Sequence, residues 1–168
     1  MHSILSEKVH TFRDSRGFTL IELIVVIIVL AILAATALPR FTNLQVQARV
    51  AKLNAALGSV KAAASLAKAT CLAQTPQCTA TVLMEGVNVT MVNTYPTADA
   101  AGIITAAGLT VGPSSPDGYN TQGGGAAAGT PVTVMVLGND PPNCSFTYTS
   151  PISASQGPVY GVLITSGC

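Results

Sequence analysis

The stretch Arg16-Gly17-Phe18-Thr19-Leu20-Ile21-Glu22, with the apolar run behind it as far as Leu38, decides the reading of this chain. Phe18 to Leu38 is 21 residues carrying one charge, Glu22. As a helix rising ~1.5 Å per residue it reaches ~31 Å, enough to cross a hydrocarbon core of ~30 Å. A carboxylate one turn into such a segment costs on the order of 2.5–3.5 kcal/mol on insertion scales, so a partner is expected. The simplest partner is the α-amine that a cut between Gly17 and Phe18 would create. Gly17 supplies the small residue before that cut. Met1–Gly17 then reads as a polar targeting leader, to be left out of fold reasoning. Its charge of +1 (Lys8, Arg13 and Arg16 against Glu7 and Asp14) keeps it cytoplasmic while the apolar run inserts.

Past the apolar run, Val46, Val50, Leu53, Leu57, Val60, Ala64, Ala67 and Cys71 step by four and three residues, which is one helical stripe. The helix is expected from Phe18 to about Thr70, perturbed at Pro39, which removes a backbone donor. The stripe is expected to pack on a small sheet formed by the chain beyond Cys71. Thr79–Met84 and Val87–Val92 flank Glu85-Gly86 as a hairpin, and Thr97–Ala107 reads as a short helix. Leu109–Pro131, rich in Gly, Pro, Ser and Asn, reads mainly as a surface loop. Val132–Leu137, Ser145–Thr149 and Val159–Thr165 complete the strands, three or four of which form one antiparallel sheet. The fold class is therefore α+β, divided into residues 1–17 (leader), 18–38 (membrane or core helix), 39–70 (amphipathic helix) and 71–168 (β-rich head).

Charge is sparse, at 9% of residues, and unevenly placed. After Gly17 there are 8 − 3 = 5 basic and 7 − 2 = 5 acidic side chains, so the net side-chain charge is zero. The five cations, Arg40, Arg49, Lys52, Lys61 and Lys68, all lie on the stem, and every acid after Glu22 lies in the head. A head without Lys or Arg offers nothing to a nucleic-acid backbone. Some stem cations are expected to pair with head acids of neighbouring copies. No histidine occurs after Gly17 and no carboxylates are paired in sequence, so neither catalysis, a metal nor a cofactor is expected. Gly123-Gly124-Gly125 lacks the Lys-Ser/Thr of a phosphate loop and reads as a surface turn.

Gly17-Phe18-Thr19-Leu20-Ile21-Glu22-Leu23, the Ile/Val/Leu run and Pro39 together resemble the start of a type IV prepilin. Asn43-Leu44-Gln45 and Tyr95-Pro96-Thr97-Ala98-Asp99-Ala100 are similar to pilins of the mannose-sensitive haemagglutinin kind. The resemblance implies a structural subunit that polymerises with copies of itself into an extracellular pilus filament. It implies a precursor in the inner membrane, cut after Gly17 and N-methylated at Phe18 by a prepilin peptidase. An assembly ATPase and a platform protein are implied as further partners. It gives Phe18, Glu22 and Pro39 to assembly, with Glu22 meeting a neighbour's terminus. Ala31 departs from the glycine usual in relatives, and alanine favours helix by about 1 kcal/mol. The alternative is the major pseudopilin of a type II secretion system, which shares the leader and the long helix. Cys71, Cys78, Cys144 and Cys168 allow three connectivities, and export favours pairing. Cys144–Cys168 resembles the C-terminal disulfide loop of these pilins. Cys71–Cys78 would then close a short loop containing Pro76.

Overall fold

A computed structural model describes residues 18–74, 80–138 and 140–168, without the side chains of Leu38, Pro39 and Thr42. Helix α1 spans Leu20–Ala73. The backbone stays helical through Pro39. The chain divides into two compact units between Phe41 and Thr42. In the first, Leu20–Ala37 has a mean hydropathy of 3.0 and none of it is buried.

The second unit packs the rest of α1 against two antiparallel sheets. One has the order β1 (Thr81–Met84), β2 (Val87–Val92), β3 (Tyr95–Pro96). The other has the order β4 (Tyr119–Gly123), β5 (Pro131–Val136), β6 (Ser145–Thr149), β7 (Val159–Tyr160). Side chains alternate across a strand, so β5 turns Val132, Val134 and Val136 to one face. Their register partners Tyr148, Phe146 and Tyr119 lie on the same face. That face meets Leu53, Ala56, Val60 and Ala64 of α1 in the main core. Two alanines among these four helix positions let the helix approach the sheet closely. Each large side chain buried there contributes about 1.5–3 kcal/mol. A smaller cluster joins Ala67 and Cys71 to Val82, Val89 and Met91.

The predicted helical stripe therefore faces the core from Leu53 to Cys71, while Val46 at its lower end stays exposed. The structure departs from the sequence reading in the sheets, of which the described residues form two rather than one. Part of the expected surface loop Leu109–Pro131 is strand β4, whose polar Asn120, Thr121 and Gln122 hide the pattern. The expected strand Val159–Thr165 pairs as strand only at Val159–Tyr160, then returns at Ile164 to bridge Ser145.

The expected helix Thr97–Ala107 is helical only over residues 100–106, and irregularly. Ala100–Ile104 forms one wide helical turn interrupted at Gly102. The Asp99 carboxylate caps it by accepting from the Gly102 N–H at 2.8 Å. Thr97 lies buried before it, and a Cβ on Gly102 would collide with the Thr97 carbonyl, so only glycine fits. The Glu85-Gly86 hairpin has both turn residues at positive φ, 49° and 83°, the twist that suits a two-residue loop.

Candidate functional site: the helix start and the stem

Phe18 is 87% exposed at the entrance to α1. Thr19 precedes the first helical residue, and Glu22 sits three positions on. The Glu22 N–H donates to Thr19 Oγ1 at 3.3 Å, and the Thr19 N–H donates to Glu22 Oε2 at 3.4 Å. The Thr19 hydroxyl also donates to Glu22 Oε2 at 3.3 Å. This reciprocal pair is a capping box: two helix-end donors that would otherwise be orphaned each find an oxygen. The negative carboxylate also lies at the positive end of the helix dipole. Sequence reasoning gave Glu22 one partner, an amine. It gave Thr19 no role, although Thr-x-x-Glu before an apolar run is the pattern of a capping box. In the uncut chain the Phe18 nitrogen is a peptide N–H, so Glu22 rests on Thr19. Gly17 lies outside the described residues. Pro39 falls within α1, and its side chain is among those not described.

The upper stem is where the expectation about charge is corrected. Four of the five stem cations are engaged by their own head. Arg49 Nη1 donates to the main-chain oxygen of Cys168 at 2.7 Å. Lys52 Nζ lies 4.6 Å from the centre of the Tyr119 ring. Lys61 Nζ lies 5.4 Å from that of Tyr160. Lys68 Nζ is 4.6 Å from the Tyr95 ring and donates to its hydroxyl at 3.0 Å. A head without cations turns tyrosine faces to the stem, and the stem ammonium groups settle on them. Burial pushes the Tyr119 and Tyr160 phenols up, so both rings stay neutral at ordinary pH. Only Arg40, which is exposed, has no polar or ring partner among the described residues.

These contacts predict an effect on the head itself. Arg49→Glu should destabilise a Thr42–Cys168 fragment by about 2 kcal/mol, since a part-buried charged hydrogen bond is lost. Lys52→Glu should cost about 1 kcal/mol through its ring contact. Thermal unfolding of the fragment checks both. Unchanged midpoints would return these residues to the role of solvated surface charges.

Cys144 and Cys168 are joined in a disulfide, with their Cα atoms 4.7 Å apart and both residues buried. Cys71 is also disulfide-bonded. Its expected partner, Cys78, lies outside the described residues.

Two comparisons bear on this geometry. The profile of the prokaryotic N-terminal methylation motif matches residues 12–38, which span Gly17 and Phe18, the capping box and the exposed apolar helix. The chain is also similar to the type IV narrow pilus major component PilA5 of Thermus thermophilus, at 45% identity over 53 residues. That match covers 32% of this chain and 46% of the relative, so the chain spans less than half the length of the curated protein it matches. No solved structure matches the chain significantly.

Proposed function

We propose that this chain, a type IV pilin by its N-terminal segment, is the repeating structural subunit of a pilus filament. The observation that carries this reading is the Leu20–Ala37 helix, strongly apolar and with none of it buried among the described residues. An apolar helix of this length needs lipid or the helices of other copies. Lipid would hold the precursor in the inner membrane, with residues 1–17 as leader. Packing with other copies would bury the same surface in a filament core made of residues 18–38, with residues 71–168 as the outer head. A peptidase that cuts after Gly17 and methylates Phe18 would turn a neutral amide into a cation. Methylation keeps that charge.

Glu22 could then exchange its contact with Thr19 for the amine of a neighbouring copy. In a dry core such a charge pair is far stronger than a hydroxyl contact at a surface. Pro39, by removing a backbone donor, would let the stem adjust as copies pack. Delivery by an assembly ATPase and a platform protein belongs to the same reading.

Electron microscopy of cells with and without the gene tests it. Surface filaments that vanish on deletion and return on complementation support the pilus. A chain that is cut and methylated, yet never gives filaments beyond the envelope, supports the pseudopilin of a type II secretion system instead.

A further inference from the structure

The fold removes most of the charge available for contacts between copies, and the charges that remain are specific. Arg49, Lys52, Lys61 and Lys68 are engaged within the head unit, and Arg40 is free among the described residues. Of the head acids, Asp99 caps its own turn and Asp140 accepts from Asn143 Nδ2 at 2.6 Å. Asp117 lies close enough to the Tyr119 phenol to help push it up, beside the ring that Lys52 covers. Glu85 is exposed at the tip of the β1–β2 hairpin and has no polar partner among the described residues.

Asp117 is also exposed without a hydrogen-bond or ion-pair partner among the described residues, but it is Glu85 whose surroundings match those of Arg40. Glu85 edges a groove of about 250 Å³ lined also by Leu66, Met84, Val87 and the turn from Thr105 to Gly108. Leu66 and Val87 are more than half exposed there, at 57% and 53%. Arg40 is followed by Phe41, which is 64% exposed. Arg40 and Phe41 are consecutive on α1 and both exposed: a cation beside an aromatic ring. The hairpin groove offers the complement, an anion flanking an apolar slot. Another groove of the head, about 370 Å³ between Thr147, Val162 and Ile164, has no charged residue in its lining and so selects no occupant.

We propose that Arg40 and Phe41 of one copy dock into the Glu85 hairpin groove of a second copy. The inference rests on the filament reading above. It is a head-to-tail contact, with different patches on the two copies, which is the kind that propagates without closing. Charge selects the register, and the apolar groups supply the buried area.

A charge-exchange series in the full chain tests it, with filament yield normalised to precursor in the membrane. Arg40→Glu and Glu85→Arg each place like charges at the contact and should lower yield roughly tenfold or more. Glu85→Gln, which only removes the attraction, should lower it less. The double variant Arg40→Glu/Glu85→Arg restores opposite charges and should recover most of the yield. Normal yield from both single reversals overturns the docking. So does a double variant no better than the worse single one. If the wild-type chain itself forms no filaments, the filament reading fails, and the docking falls with it.

Discussion

Replacing Glu22 by alanine is expected to abolish filaments while leaving the precursor in the membrane. The substitution removes a carboxylate whose insertion costs on the order of 2.5–3.5 kcal/mol, so anchoring should improve rather than suffer. It also removes half of the capping box with Thr19, and a helix cap contributes only about 1 kcal/mol. Loss of the cap alone should therefore fray one turn without stopping assembly. The proposed contact with a neighbour's amine would be the stronger interaction, because it would be made where water is excluded.

Thr19→Ala separates the two contributions: it breaks the same cap but keeps the carboxylate, and most filaments should survive it. Glu22→Asp should fall between, with its charge kept but set back by one methylene. Sheared-filament yield and immunoblots of membrane precursor give the readout. Normal yield from Glu22→Ala would make the charge dispensable. Equal losses from Thr19→Ala and Glu22→Ala would reduce Glu22 to a capping residue.

Cys168→Ser should strongly destabilise the head. The Cys144–Cys168 bridge closes a loop with a sequence separation of 24. In the chain-entropy model such a loop contributes about 3 kcal/mol, by restricting the unfolded chain. The structure adds a second reason. Arg49 bonds to the main-chain oxygen of Cys168, so the bridge also holds the acceptor for a stem cation. Both cysteines belong to the core cluster that holds Phe146 and Val136, where a serine hydroxyl would have to find a partner or remain unsatisfied. Thermal unfolding of the Thr42–Cys168 fragment should show a midpoint lower by about 10 °C. Cys71→Ser should cost less, if its ring is the short one closed at Cys78. A midpoint unmoved by Cys168→Ser would show that the core holds this segment without the bridge.

The parts of this fold that were legible in the sequence are those governed by one-dimensional periodicity. The apolar run from Phe18 and the stripe from Leu53 to Cys71 each repeat a single physical demand, and α1 follows both. Ser145–Thr149 was equally plain, because Phe146 and Tyr148 alternate with hydroxyls. What escaped depends on contacts distant in sequence. Strand β4 is a run of polar residues that becomes a strand only because β5 offers it a ladder. Strand β3 is two residues long and comes after a turn at Asn93-Thr94, both at positive φ, held by the bond from Asn93 Nδ2 to the Pro151 carbonyl. Nothing near residue 93 announces Pro151.

The candidate site divides in the same way. Phe18 and Glu22 stood out as a junction, and Thr19 was visible as half of a local motif. The destinations of Lys52, Lys61 and Lys68 were not visible, since their tyrosines lie 27 to 99 residues away along the chain (95 − 68 = 27; 160 − 61 = 99). A count of charges put stem cations against head acids, whereas the fold puts them against ring faces.

The central claim is that this chain is cut after Gly17 and that its exposed apolar helix is then buried in a polymer. Intact-mass spectrometry of sheared filaments, with sequencing of the N-terminal peptide, tests both halves at once. The account predicts a subunit of 168 − 17 = 151 residues, beginning at Phe18 and carrying one methyl group on its α-nitrogen. Filaments whose subunits retain residues before Phe18, or filaments that lack this chain altogether, would contradict it.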